Sequence, residues 1–461
     1  MASVNLAIRN VKHINKVLPK GKHSILSMRP GQFVEYMKTN DLKRCSVIHD
    51  GTNMSSQVSS PELRELQEFC SSENNQDYSK HEGLFFEIGP RSDALLGAFV
   101  WRTNRGQPCG GVRLWEYDTM QDYLSDGLRL SQGMGLKSAL AGLWNGGGKG
   151  VIASPGKDKE SDPDYRRKIL LDYGDFVTSL NGAYIGAEDA GVTVADMDVI
   201  FERTRFMTCI SESKGGSGNP STATGKGIVC AMEATLDFLG EGTLEGKTVV
   251  SQGAGNVAKV IFDNLLDMDV GHIHATDINE QQLDRTEKMF AHKNHGRLTL
   301  EQVPKERANE VLSMPCDILS PNALGNVLNE MTIPTIQSKI VCGAANNQLG
   351  KLADNKSMMD RGITYVVDFL CNRMGIVKCA NETYGRLTDD PALLQHFSKE
   401  WPHSIWNVTH EVLATAQDKG ITPVEAAIEI ADRESQKLHP IWPYRARKII
   451  ENLNMEGWVD A

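Results

Sequence analysis

Three ionisable side chains stand in settings suited to handling a small zwitterion. Lys149 lies in Asn145-Gly146-Gly147-Gly148-Lys149-Gly150-Val151-Ile152, Lys137 in Gly133-Met134-Gly135-Leu136-Lys137, and Asp189 in Ala187-Glu188-Asp189-Ala190-Gly191. Glycine permits positive φ and close backbone approach, so the run before Lys149 carries its ammonium group to a spot where the chain passes near something else. One lysine can fix an α-carboxylate. The other, kept partly neutral by desolvation and a nearby cation, can act as a base, while the aspartate takes or relays an ammonium proton. An arbitrary lysine is a solvated surface residue; here the flanking glycines and the apolar neighbours Met134, Leu136 and Val151 argue for an inward position.

A second constellation is Gln252-Gly253-Ala254-Gly255-Asn256-Val257-Ala258, a G-x-G-x-x-A pattern. Alone it is weak. It gains weight between the strand-like Lys247–Ser251 and a helical stretch from Asn256 to Leu266, where Gly253 and Gly255 let a pyrophosphate approach the N–H groups that open the helix at Asn256 and Val257. Asp277 ends the next strand, 24 residues beyond Gly253. There it would accept hydrogen bonds from ribose hydroxyls and repel a 2′-phosphate. No Arg or Lys follows in Ile278-Asn279-Glu280, so NAD is expected rather than NADP.

The elements that must position these groups follow from periodicity. Ala94–Trp101 reads as a buried strand and Val112–Leu114 as another. Thr119–Ala141 is a helix on which Lys137 points into a cleft, with Gly133 and Gly135 marking a break or a close contact. Val151–Ala153 is a short strand and Tyr165–Leu180 a helix. A second unit starts near Ser221 with helix Thr224–Phe238, then alternates strand and helix through His272–Thr276, Asp317–Leu319, Ile340–Cys342 and Tyr365–Val367. That order predicts an open, doubly wound parallel sheet. Ser404 to Asn454 is helical, with Trp401, Trp406 and Trp442 as packing residues. Residues 51–83 are polar and read as a surface excursion.

At 461 residues the chain is long enough for two or three domains. A net charge of -10 gives no overall attraction to nucleic acid or an anionic membrane, and no apolar run approaches a membrane-spanning length. Nine cysteines without a CxxC pair or zinc-type spacing predict reduced thiols and no metal, in an intracellular compartment. The first 34 residues lack Asp and Glu and carry apolar residues at helical spacing. A plain N-terminal arm in a cytoplasmic protein is the expectation, with a mitochondrial-matrix targeting segment as the alternative.

Gly110-Gly111-Val112-Arg113, the Lys137, Lys149 and Asp189 segments, Ser217-Gly218-Asn219-Pro220, Cys316–Gly325 and Ala345-Asn346-Asn347-Gln348-Leu349 occur in order, and with them the chain resembles the glutamate/leucine/phenylalanine/valine dehydrogenase superfamily on its leucine dehydrogenase side. The likeness spans roughly 94–450. It implies an α/β protein of two domains: an arm (1–30), a substrate-binding and oligomerisation domain (31–220), a Rossmann-type NAD domain (221–375), and C-terminal helices (376–461) returning toward the cleft and first domain. The implied reaction is reversible NAD-dependent deamination of an L-amino acid to a 2-oxo acid and ammonia, by a homo-oligomer, dimer or higher.

By that resemblance Lys137 holds the substrate carboxylate, Lys149 is the general base that activates water, and Asp189 assists proton transfer. Thr224, Asn256, Ala344 and Asn346 would line the nicotinamide side, and the Asn372 amide would meet the substrate amine. Glutamate dehydrogenases carry a lysine before the Gly-Gly-Leu-Arg run; this chain has Cys109 before Gly110 and Gly111. Burying a second carboxylate without that cation would cost several kcal/mol, so an apolar side chain packed on Cys109, Met134 and Ala187 is expected, in the leucine, valine, phenylalanine and tryptophan class. Arg373 and Met374 depart from the small residues of leucine dehydrogenases near the pocket. The rival readings are a non-catalytic NAD or amino-acid sensor on the same fold, and a hydroxy-acid dehydrogenase using a histidine.

Overall fold

The computed structural model describes residues 24–49, 56–72, 75–383, 385, 387 and 389–460, so most of the N-terminal arm lies outside the described residues. The chain divides into two units. Of the described residues, the first holds those from 24 to 218 together with those in 379–386 and 432–460; the second holds those in 219–378 and 387–431. The C-terminal stretch, expected as one set of helices, is thus shared between the units.

In the first unit, β1 (Arg44–His49), β2 (Ser56–Val58), β3 (Gly83–Ile88), β4 (Leu95–Val100), β5 (Pro108–Trp115), β6 (Gly146–Ala153) and β7 (Ile185–Glu188) form one mixed sheet in the order β2-β1-β3-β4-β6-β5-β7. Pairing is antiparallel as far as β6, and β6, β5 and β7 run parallel. Helix α1 (Met120–Leu140) covers one face and α2 (Pro163–Ser179) the other. Side chains alternate between them. Phe99 and Val151 join Leu124 and Leu128 of α1, whereas Leu96 and Ile152 join Tyr173 and Phe176 of α2. Each buried side chain of this size stabilises the fold by about 1.5–3 kcal/mol. Because β6 is buried on both faces, its sequence shows no polar alternation.

Two expectations change here. The Gly146–Gly148 run is extended strand, and none of the three glycines has positive φ; it is close approach alone that requires them. The 51–83 excursion contains β2 and a helix at Arg64–Ser71, and Leu63, Leu66 and Cys70 are fully buried. A polar composition concealed that apolar stripe.

In the second unit, β8 (Thr248–Gln252), β9 (His272–Asp277), β10 (Leu298–Gln302), β11 (Ile318–Pro321), β12 (Ile340–Val341) and β13 (Thr364–Tyr365) form an all-parallel sheet ordered β10-β9-β8-β11-β12-β13. This is the doubly wound arrangement, with its topological switch beside β8. Helix α3 (Ser221–Leu239) precedes β8, and α4 (Asn256–Asp267) follows it. Helix α5 (Met374–Glu382) carries the chain past the last strand, and α6 (Ile405–Lys419) packs on α3. Strand β10 was not foreseen. It lies on the sheet edge with only Leu298 buried, so it lacks an apolar run. Among the described residues no helix is long and apolar enough to cross a membrane, and all nine cysteines are free thiols.

Candidate active site

The glycines of β6 bring that strand against α1. A methyl on Gly147 would sit 2.4 Å from the Ser131 carbonyl oxygen and 3.0 Å from Gly135, and one on Gly135 would strike the Trp101 ring at 2.4 Å. Gly135 therefore marks a close contact; the helix is unbroken there, and a methyl on Gly133 would meet nothing. On the same face of β6, two residues after Gly147, stands Lys149. Its side chain is only 3% exposed, and its ammonium nitrogen lies 2.5 Å from Asp189 Oδ2, just beyond the end of β7. Strand β5 runs between them. There Gly111 leaves room, since a methyl at 111 would lie 2.5 Å from Asp189 Cβ.

The pair is not symmetric. Burial pushes the Lys149 amine below the ordinary lysine range and the Arg113 charge pushes the same way, against the opposing pull of Asp189. Asp189 keeps some exposure. Burial pushes its carboxyl up, but Lys149 and Arg113 outweigh that and hold it below the ordinary aspartate range. An amine with a lowered pKa next to an ionised carboxylate is a group that gives up its proton more readily than an ordinary lysine and can retake it.

Arg113 escaped the sequence reading as a functional group. Its Nε donates to Asp189 Oδ2 at 3.0 Å and its Nη1 to Asp126 at 3.0 Å, while Tyr117 and Arg129 also donate to Asp126, at 2.7 and 2.9 Å. Arg113 stands on β5 and Asp126 on α1. No local spacing announces a pair between a strand and a helix that packs on it.

Lys137 and Met134 are half-buried and one turn apart on α1. Met134 overlies Gly110, where a methyl would lie 3.1 Å from its Cγ and collide with the Gly148 carbonyl. Cys109 is fully buried and its thiol is pushed up to about 12 by burial. Ala187 packs with Cys209 and Cys379 in a small apolar cluster. Two of its members, Cys209 and Cys379, were not singled out from the sequence.

In the second unit Gly253 has φ +101, and a side chain there would strike Ala323. A methyl on Gly255 meets open space, immediately ahead of Asn256 and Val257 at the start of α4. Asp277 accepts from Ala254 N–H at 2.9 Å and from Asn279 N–H at 2.9 Å, so it braces the glycine turn. This open, glycine-walled helix start with an adjacent carboxylate fits a dinucleotide. Lys259 feels both Asp277 and Arg285 electrostatically, so one cation, Lys259, stands near Asp277 although none follows it in the chain.

The Asn372 amide donates to Ala344 O at 3.2 Å and Asn346 Oδ1 at 2.8 Å, and Ala344 N–H donates to Asn322 Oδ1 at 2.8 Å. Thr224 is buried on α3 near Gly375. Arg373 and Met374 do not open toward a pocket: both are fully buried in the second unit, Arg373 beside His396 and the His403 carbonyl, Met374 against Gly227. Trp442, expected to pack, is 46% exposed and stacks on His439.

A mixed α/β unit holding a buried lysine–aspartate pair, joined to a doubly wound parallel sheet with a glycine turn, is the build of a two-domain dehydrogenase. Comparison with known proteins agrees. The family profile described as Glu/Leu/Phe/Val dehydrogenase, dimerisation domain matches residues 98–206, and that described as Glutamate/Leucine/Phenylalanine/Valine dehydrogenase matches residues 215–438. Leucine dehydrogenase of Bacillus subtilis (strain 168) is 35% identical, over 78% of this chain and 92% of that one. Valine dehydrogenase of Streptomyces virginiae is 35% identical, over 78% and 95%. The crystal structure of L-tryptophan dehydrogenase from Nostoc punctiforme superposes with a TM-score of 0.64 at 28% identity, covering 77% of this chain and 96% of that one. The chain belongs to the glutamate/leucine/phenylalanine/valine dehydrogenase family and is an amino-acid dehydrogenase.

Proposed function

We propose that the protein catalyses reversible NAD-dependent oxidative deamination of an apolar L-amino acid to the 2-oxo acid and ammonia. The observation that carries this is the Lys149 amine, buried, lowered in pKa and held 2.5 Å from Asp189. Lys137 holds the substrate carboxylate. Lys149, as the free amine, takes a proton from the water that attacks the iminium carbon, and Asp189 takes the proton that the substrate ammonium must lose first. When bound, NAD supplies the acceptor for the hydride leaving Cα. Gly253, Gly255, Val257 and Asp277 would hold its adenosine and pyrophosphate part, Thr224, Asn256, Ala344 and Asn346 would line the nicotinamide side, and the Asn372 amide would meet the substrate amine.

Substrate class follows from Cys109, Met134 and Ala187, which offer apolar atoms and no cation for a distal carboxylate. The similar leucine, valine and L-tryptophan dehydrogenases support that reading. One methylene changes discrimination by only about 1–3 kcal/mol, so the choice among apolar amino acids is a matter for measurement. The first unit overlaps the family's dimerisation domain, which supports a homo-oligomer. Mixing the protein with NAD and a panel of L-amino acids should raise NADH absorbance with apolar members and not with glutamate, and the reverse reaction should require ammonia. No turnover with any of them refutes the reading.

A further inference from the structure

Lys149 and Asp189 are not an isolated pair. Asp189 Oδ2 receives Lys149 at 2.5 Å and Arg113 at 3.0 Å, so a single oxygen is shared by two cations. Arg113 is itself anchored on its far side, where Asp126 accepts from it at 3.0 and 3.3 Å. Asp126 is held in turn by the Tyr117 hydroxyl at 2.7 Å and by Arg129 at 2.9 Å. The chain of contacts runs from β6 through the end of β7 and β5 to α1, and Asp126 lies nearly buried at its root.

We infer that Arg113 is a positioning residue: anchored on Asp126, it fixes the Asp189 carboxylate beside Lys149 and shares its charge, so that Lys149 gives up its proton more readily than it would facing Asp189 alone. This rests on the proposed role of Lys149 as base. The planar guanidinium fork can serve two carboxylates at once, which an ammonium cannot do at these positions. The charged groups facing Lys149 are Asp189, Arg113 and Asp126. Around Asp189 itself stand Glu188, Tyr117 and Tyr184. Among these neighbours Arg113 alone opposes the protonated amine, so removing it leaves Lys149 to the carboxylates.

The test is the pH profile of kcat/KM for amino-acid oxidation by the full-length protein. Arg113→Gln should move the limb on which activity appears with rising pH to higher pH by about half to one unit. Arg113→Lys, which keeps one cation but cannot bridge both carboxylates, should place the limb between the two. A thermal midpoint measured alongside reports any purely structural loss. A limb left in place or moved to lower pH overturns the inference, whatever happens to the thermal midpoint. If the glutamine variant does not fold, a wild-type limb in the lysine variant does the same. Absence of turnover in the wild-type protein is a different result, and removes the proposed function instead.

Discussion

Lys149 and Asp189 meet across a strand that belongs to neither of them: the ammonium nitrogen on β6 lies 2.5 Å from the carboxylate oxygen beyond β7, and the β5 residue that leaves room beside Asp189 is Gly111. A buried ammonium without a partner is costly. The contact is therefore what lets a lysine be 97% enclosed while remaining able to titrate, and it frames the first prediction.

Lys149→Ala should lower kcat by about 10²-fold or more, the scale of losing a general base. Asp189 keeps Arg113 as a partner in that variant, so the fold should survive. Steady-state kinetics beside a thermal melt separate the two effects, and near-normal turnover removes Lys149 from the base role.

The pH limb follows from the same contact. Lys149 must be neutral to accept a proton and its pKa is lowered, so activity should appear, as pH rises, below the ordinary lysine value of about 10.4. Asp189 favours the charged amine. Asp189→Asn should consequently move that limb to lower pH, opposite in sign to Arg113→Gln, while lowering kcat through loss of the proton acceptor. A limb at unchanged pH in Asp189→Asn would disconnect the two groups.

Two glycines on one helix should respond in opposite directions. Gly135→Ala places a methyl 2.4 Å from the Trp101 ring and should destabilise the protein by about 1–3 kcal/mol. Gly133→Ala meets open space and should stabilise it by about 0.5–1 kcal/mol through helix propensity. Denaturant unfolding of both variants checks the signs.

Asp277→Ser should shift the kcat/KM ratio toward NADP by about tenfold, the scale of one charge-assisted hydrogen bond. Lys259 would then be free of a nearby carboxylate. An unchanged ratio takes Asp277 out of ribose recognition.

Much of this was legible in the chain itself. The strand, glycine turn, helix and acidic strand end around Gly253 and Asp277 announce themselves because a parallel sheet buried on both faces writes its strands as apolar runs. The glycines near Lys149 signalled close approach, yet nothing local distinguished an extended strand from a turn. Other features are invisible to spacing. Arg113 finds Asp126 only because β5 and α1 pack together, and Arg373, expected near the pocket in place of a small residue, turns into the core of the second unit. Strand β10 and the helix at Arg64–Ser71 were hidden for opposite reasons, one by its exposure and the other by polar surroundings.

The slot that Gly147 occupies against the Ser131 carbonyl also fixes where β6 can sit. Sliding the strand by one residue would exchange its two faces, and sliding it by two would thrust either Asn145 or Lys149 into a gap that has no space even for a methyl. Only one alignment survives. The reactive amine is thus located by an atom its strand lacks, and any change that lets that strand creep along its neighbours would displace it by a whole residue spacing while leaving every catalytic side chain intact.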